Sequence, residues 1–233
     1  MSSPASPATP LAIPNYLEQT YWWAYVHPNA VYVFERQWLV NLILWGNFNR
    51  LRDAALEMLG SDSLDGRTLQ IACVYGNLTA KLRERLTPDA ELHIVDILPV
   101  QLENLTRKLP TDSRIKLIHA DSAHLPMESA SYDRALLFFL LHEMPEDVRR
   151  KTIAEALRML KPGGQLVIVD YHQPSKLNPL YWPMQGILRT LEPYAMDLWR
   201  QPIDAWLPTD VALADVQRRT VFGGLYQMLK ITV

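Results

Sequence analysis

The sequence predicts an α/β fold built on a doubly wound, mainly parallel sheet. From residue 67 onward, short apolar runs alternate with segments of helical periodicity, which is the pattern of strand–helix–strand units. The chain has 233 residues, of which 48% are hydrophobic and 21% charged, a composition that suits one such domain with additions. The longest apolar run, ALLFFLL, is too short to span a bilayer and is expected to be a buried strand.

The central part of the chain predicts the order of the elements. We expect strands over residues 67–73, 90–96, 114–120, 132–140 and 165–171. We expect helices over 77–86, 99–109 and 145–160, and a turn at 161–164, KPGG. Residues 216–233 predict an antiparallel hairpin that turns at Gly223 and Gly224. In open sheets of this kind, ligands bind at the carboxyl ends of the strands.

The flanks differ from this scaffold, because all seven tryptophans lie outside residues 67–172. We expect residues 1–15 to be a mobile tail and 16–62 an aromatic helical cap, with one or two helices over 29–59 that break at Gly46 and Asn47. Residues 63–233 form the main predicted domain. Within it, 174–208 holds six prolines and three tryptophans and is expected to be a lid.

Charge, cysteine content and the first residues argue against several classes of protein. A net charge of −2 gives no electrostatic reason to bind nucleic acid. One cysteine, Cys73, excludes a disulfide framework and suits a reducing compartment. The first residues lack the basic and apolar regions of a signal peptide, so a cytoplasmic location is expected.

Two acidic residues predict an adenosine site. Asp96 ends the second strand, twenty residues after Gly76, where a carboxylate can accept hydrogen bonds from both ribose hydroxyls; the alternative is a turn or helix cap. Asp121 and Ser122 follow the third strand, where a carboxylate could accept the adenine amino group; the alternative is an Asx turn.

The stretches HADSAHLPMESASYDRALLFFLLHEMPE and ALRMLKPGGQLVIVDYHQP resemble class I methyltransferases that depend on S-adenosylmethionine (SAM), and are most similar to the quinone-ring methyltransferases. The resemblance implies a seven-stranded sheet, an N-terminal helical cap and SAM as cofactor. The cofactor-binding residues that it implies are Gln70, Ala72, Tyr75, Gly76, Asp96, Ile97, Asp121, Ser122 and Phe138.

A narrower resemblance covers the whole chain. The front of the sequence, YLEQTYWWAYVHPNAVYVFERQWLVNLILWGNFNRLRDAALEML, together with LQIACVYGNLT, is similar to the family of the rhodoquinone biosynthesis protein RquA. That resemblance implies exchange of a ubiquinone methoxy group for an amino group, with SAM as the amino donor and manganese involved. Two alternatives remain open: a conventional methyltransferase acting on a quinone or phenol, and a non-catalytic scaffold with the same fold.

The loop after the first strand departs from the family pattern of an acid followed by G-x-G-x-G. Gln70 stands at the acidic position, and Ala72, Val74 and Gly76 stand at the glycine positions. Val74 and Tyr75 are expected to reshape the seat of the methionine half of SAM. A neutral Gln70 is expected to leave the SAM amine uncharged and therefore nucleophilic.

Polar residues near the strand ends are the other candidates for chemistry. We expect Gln70, Tyr75, His142 and His172 to be catalytic, with His27 as a weaker candidate. His142, Glu143 and Asp170 carry ligand types that suit manganese, although no tight ligand spacing is present; the alternative is capping and hydrogen bonding to substrate.

The aromatic flanks predict a surface for a lipid substrate. They either cover the cleft, pack the cap, or lie at a bilayer, where amphipathic aromatics are favoured. We therefore expect peripheral contact with the inner face of the inner membrane, where ubiquinone is found. The residues considered for this are Tyr21, Trp22, Trp23, Tyr25, Trp182, Trp199 and Trp206.

Overall fold

A computed structural model describes residues 11–22, 28–60 and 62–233, with the backbone alone for 28–30. Its seven-stranded sheet has the order β3-β2-β1-β4-β5-β7-β6, with β1 to β5 parallel and β7 antiparallel to both β5 and β6. The predicted α/β fold with an antiparallel C-terminal hairpin is confirmed. The strands are β1 Arg67–Ile71, β2 Glu91–Asp96, β3 Ile115–His119, β4 Tyr132–Phe138, β5 Leu160–Tyr171, β6 Asp215–Val221 and β7 Tyr226–Thr232.

Helices surround the sheet and begin or end where the sequence supplies a signal. Pro99 begins one helix, where its missing N–H costs nothing, and Gly60 ends another. The helices are α1 Asn15–Thr20, α2 Pro28–Phe34, α3 Gln37–Ile43, α4 Phe48–Leu59, α5 Leu78–Glu84, α6 Pro99–Lys108, α7 Glu146–Arg158, α8 Tyr181–Leu191 and α9 Ala195–Arg200.

Two local predictions differ from the structure. The segment 28–59 holds three helices rather than one or two; the expected break is present, with Trp45 and Gly46 at φ of 53° and 76°. The expected turn at 161–164 lies inside β5. Leu160 pairs with Tyr132 and pairing resumes at Gln165 with Arg134, so the glycine-rich stretch is a bulge in the strand rather than its boundary.

A buried arginine of α7 links the lid to the segment that follows β4. Arg149 of α7 donates from Nε to Leu141 O (3.0 Å) and from Nη2 to Met144 O (2.8 Å) and Tyr194 O (3.1 Å). Its guanidinium lies 4.4 Å from the centre of the Trp206 ring, a favourable cation–π distance. Trp206 is therefore a core residue.

Tyr21, Trp199 and Trp206 are buried in the protein and do not line the cavity at the strand ends, so of the alternatives given for the aromatic flanks these three follow internal packing. Trp22 and Trp182 are exposed. Trp23, Tyr25, His27 and most of the predicted tail lie outside the described residues. Among the residues that are described, no helix is long and apolar enough to cross a membrane.

Candidate functional site

A cavity of about 640 Å³ opens at the carboxyl ends of β1 to β5 and is closed by the cap and by α8. This size is typical of small-molecule sites. Its wall is mainly apolar, and its titratable or polar side chains include Tyr16, Cys73, Tyr75, Asp96, Gln101, Asp121, Ser122, His142, Glu143, Tyr171 and Glu192. The cavity thus lies where the sheet topology predicts a ligand.

Asp96 lies in the cavity wall at the end of β2. Its Oδ2 accepts the N–H of Cys73 (2.7 Å) and its Oδ1 accepts the N–H of Leu98 (2.9 Å). Burial raises the pKa of Asp96, and these two N–H groups oppose the rise. Each oxygen keeps a lone pair for a further donor, so the predicted role toward ribose hydroxyls fits the geometry.

Asp121 and Ser122, which follow β3, also line the cavity, as does Ile97. Asp121 Oδ1 accepts the N–H of Ala123 (2.9 Å), which is the Asx turn of the alternative interpretation. Its other oxygen is 3.4 Å from His124 Nδ1. Ser122 Oγ lies 3.0 Å from Thr152 Oγ1. The turn and the predicted adenine contact are compatible, because a carboxylate offers about four acceptor positions.

In the loop after β1, a residue other than glycine adopts a left-handed backbone conformation that glycine usually supplies. Ala72 has φ of 73°, the left-handed region that costs a residue with a Cβ about 1–2 kcal/mol. Its N–H donates to Val95 O (2.8 Å), which holds the loop in this shape. Ala72, Val74 and Tyr75 all line the cavity, so two bulky side chains stand in the wall where the family pattern leaves a glycine-lined gap.

Gly76 is in the loop but does not line the cavity. Its φ is +81°, and a Cβ there would lie 3.0 Å from both Gln37 Oε1 and Phe48 Cζ. Gly76 therefore lets the cap pack against the loop. Phe138, at the end of β4, does line the cavity and packs edge-on against Phe48, with ring centres 6.0 Å apart.

Gln70 is fully buried and faces away from the cavity. Its Nε2 donates to Ala72 O (2.9 Å), and its Oε1 accepts Thr79 Oγ1–H (3.1 Å). The predicted direct action of Gln70 on the SAM amine is therefore corrected: Gln70 connects the loop to α5. Because β1 is buried on both faces, the alternation of its side chains does not indicate on which side of the sheet Gln70 lies.

Gln70→Glu is expected to lower the free energy of unfolding by about 2–4 kcal/mol at pH 7, because a buried carboxylate would face the Ala72 carbonyl. Burial raises the folded-state pKa of the new carboxyl, so the penalty grows as pH rises above its unfolded pKa of about 4.3. Urea unfolding at pH 5 and pH 8 measures this. The exposed Gln19→Glu on α1 is the control, and an equal penalty of Gln70→Glu at both pH values would contradict the assignment.

Glu35, which the sequence analysis missed, joins the cap to the loop. Its Oε1 accepts the N–H of Gly76 (3.0 Å) and Lys108 Nζ (2.7 Å), and its Oε2 accepts Asn104 Nδ2 (2.8 Å). Lys108 also donates to Val74 O (3.0 Å) and Gly76 O (2.9 Å). These charge-assisted bonds connect the cap, α6 and the altered loop into one unit.

Tyr75 is held on both sides. Its ring stacks on Phe34 of the cap, with centres 6.1 Å apart and planes 21° apart. Its hydroxyl accepts Gln101 Nε2–H at 2.8 Å. Burial raises the pKa of Tyr75, which the hydrogen bond from Gln101 opposes, so the phenol is neutral at physiological pH and serves as a hydrogen-bonding group rather than a base.

His142 and Asp170 form a buried ion pair at the cavity wall. His142 Nδ1 is 2.9 Å from Asp170 Oδ1. Burial alone would lower the pKa of His142, but the Asp170 carboxylate, followed by Glu192 and Glu143, outweighs it and raises the pKa to about 9. His142 is therefore an imidazolium at pH 7, fixed through Nδ1 and able to donate from Nε2.

The predicted manganese site does not fit these residues. Asp170 accepts the N–H groups of Leu141 (2.9 Å), His142 (3.2 Å) and Tyr171 (2.8 Å) besides the imidazole. His142 Nε2 and Glu143 Oε1 are 3.9 Å apart. In the part of the chain that the structure describes, no three His, Cys, Asp or Glu side chains are grouped as metal ligands. The assignment of His142, Glu143 and Asp170 as ligands is corrected to an ion-pair network.

His172 is also corrected. It lies outside the cavity wall, and its Nδ1 is 2.8 Å from Gly224 O, where it supports the hairpin.

Glu192 is a further cavity residue that the sequence did not indicate. It follows α8, lines the cavity and has a pKa raised by burial. Its position depends on how the lid folds back, which no local pattern indicated.

The central segment of the sequence is similar to known proteins. Residues 68–164 match the family model described as a methyltransferase domain. The demethylmenaquinone methyltransferase of Staphylococcus aureus (strain JH9) is 30% identical over 109 residues, which are 47% of this chain and 44% of that protein. The match thus spans about half the length of this relative.

Solved structures share the fold of this chain. N-methyltransferase NodS from Bradyrhizobium japonicum WM9 in complex with S-adenosyl-L-homocysteine matches with a TM-score of 0.57 and 16% identity, covering 79% of this chain and 86% of NodS. The [4+2]-cyclase SpnF matches with a TM-score of 0.50 and 18% identity, covering 78% of this chain and 79% of SpnF. The fold alone therefore does not decide the reaction.

Proposed function

We propose that the protein uses SAM to replace a methoxy group of ubiquinone by an amino group, the step that forms rhodoquinone. One observation carries the proposal: Val74 stands in the cavity wall at a glycine position of the family pattern, and the bulky Tyr75 lines the wall beside it. The residues suited to the adenosine half, Asp96 and Asp121, are retained in the same wall. The departure is confined to the side of the cavity that would hold the methionine half.

The cavity chemistry supports a quinone as the second substrate. Phe34, Phe48, Phe138 and Phe139 present aromatic surface in a mainly apolar wall, which suits a planar ring that carries few polar groups. The menaquinone-pathway relative is named for methylation of a related ring system. That similarity also favours the second candidate function, a conventional SAM-dependent methyl transfer to a quinone or phenol.

The amination has two bond exchanges. The SAM amine adds to the ring carbon that bears the methoxy group, and that carbon then loses methoxide, which leaves as methanol with the proton given up by the amine. Afterwards the SAM β carbon loses a proton while the bond between nitrogen and the SAM α carbon breaks. The nitrogen keeps the electron pair and takes up a proton, and the SAM carbon skeleton leaves as an α,β-unsaturated acid. The first exchange needs a neutral amine, a polarised carbonyl and a proton for methanol. His142, charged at pH 7, supplies a donor that polarises the carbonyl and can protonate the departing methoxide. The neutral Tyr75 phenol supplies a second hydrogen bond.

Manganese has no step in this scheme, since the donors in the described part of the chain do not form a ligand set. The proposal retains the expected location, the cytoplasmic face of the inner membrane, because a long-tailed quinone partitions into a bilayer.

The test is a product assay with a short-chain ubiquinone and SAM, with and without added manganese, analysed by mass spectrometry. Exchange of methoxy for amino supports the proposal. An added methyl group supports the second candidate. Quinone binding without any product supports the remaining alternative, a non-catalytic scaffold, and overturns both enzymatic proposals.

A further inference from the structure

The mouth of the cavity is apolar. Of the residues in its wall, those that are well exposed to solvent among the described residues are Leu42, Ile43, Trp45, Ile187 and Leu191. All five lie on α3 and the turn after it, or on α8. Trp45 Nε1 lies 3.0 Å from Met184 Sδ, so the two elements meet at the mouth. A ligand that enters here crosses a hydrophobic rim rather than a polar one.

Two further side chains extend this rim beyond the cavity. Trp38 of α3 and Trp182 of α8 are 61% and 67% exposed and do not line the cavity. We define the α3–α8 face as these two tryptophans together with the five rim residues. An exposed apolar surface of this kind is typical of a binding surface, and exposed tryptophans are typical of contact with a lipid interface.

The two segments that carry the α3–α8 face bear charges of one sign. Residues 36–52 and 173–191 contain no aspartate or glutamate, although the whole chain has a net charge of −2. The same segments carry Arg36, Arg50, Lys176 and Arg189, which are exposed. None of these four has an ion-pair partner among the described residues. Basic side chains that flank an apolar face match the negative headgroups of a membrane surface.

We propose that the α3–α8 face docks on an anionic phospholipid bilayer and opens the cavity directly to the lipid phase. The identity of the molecule that enters, a quinone with a lipid tail, rests on the proposed function. The docking of the face on a bilayer does not depend on the proposed function. A second copy of this chain fits less well, because the face offers no acidic groups to meet its own arginines.

Vesicle binding tests the docking without any catalysis. Sedimentation with vesicles of phosphatidylcholine alone, and with about one third phosphatidylglycerol, is expected to show stronger binding to the anionic vesicles. Trp38→Ser/Trp182→Ser and Arg36→Glu/Arg189→Glu are each expected to weaken anionic vesicle binding by about tenfold or more. The matched control, Val216→Ser/Arg219→Glu on the edge strand β6, is expected to bind like the wild type.

The outcomes separate the docking from the reaction. Equal binding by the face variants and the control, or no vesicle binding together with dimers in light scattering, overturns the proposal. If the vesicles bind as expected and no amination occurs, the proposed function fails and the docking surface stands. If both stand, the face variants turn over a short-chain quinone in solution at the wild-type rate and lose about tenfold with a long-chain quinone in vesicles.

Discussion

His142→Gln is expected to lower the turnover of the proposed amination by about 10²–10⁴-fold, because it removes the cationic donor at the quinone carbonyl and the proton for methanol. The binding of SAM is expected to change little, since Asp96 and Asp121 lie at the ends of other strands. Steady-state turnover combined with calorimetric titration of SAM measures both. Parallel losses in turnover and SAM affinity would mean that His142 supports the cofactor site rather than the reaction.

The same residue predicts a pH dependence of stability. The folded-state pKa of about 9 lies above the unfolded value of 6.5, so the contribution of His142 is fully present below pH 6.5 and is lost as pH rises through 9. Since one pKa unit is worth about 1.4 kcal/mol, the wild type is expected to lose a few kcal/mol of unfolding free energy across this window.

Urea unfolding of wild type and His142→Gln at several pH values between 6 and 10 measures this loss. The variant is expected to be less stable at pH 7, because the buried Asp170 loses its cationic partner, and to lack the decline that His142 causes. An identical decline in both proteins would contradict the ion-pair assignment.

Tyr75→Phe is expected to reduce the rate of amination by about 10²-fold or more, the size of effect seen when one hydrogen-bond donor to a developing oxyanion is removed. The ring and its stacking on Phe34 remain, so SAM affinity is expected to stay within about twofold. Tyr32→Phe provides a matched control, because Tyr32 is exposed on α2 and outside the cavity wall. Unchanged turnover in Tyr75→Phe would leave Tyr75 with only a packing role.

Much of the fold was predictable because its signals are local. The alternation of strands and helices, the double glycine of the hairpin and the apolar run of β4 each depend on neighbouring residues. The position of Asp96, Asp121 and His142 in the cavity wall was also predictable, since each lies at or shortly after the end of a strand and the carboxyl ends of parallel strands share one edge.

The remaining site residues depend on long-range packing. Glu35 reaches Gly76 across 41 positions in the sequence, and nothing near Glu35 marks it as a partner of the loop. Gln70 sits in a strand that is buried on both faces, so its direction could not be inferred from alternation. Trp182 is exposed and Trp199 buried on adjacent lid helices, a difference that depends on how the lid lies over the sheet.

The central claim is that SAM gives its nitrogen, and not its methyl group, to a quinone. The most direct test supplies SAM labelled with nitrogen-15 in the amino group and deuterium in the methyl group, together with a short-chain ubiquinone, and analyses the quinone product by mass spectrometry. We expect a product that carries nitrogen-15, lacks deuterium and has lost one methoxy group. A product that carries deuterium without nitrogen-15 would contradict the account and identify a methyltransferase.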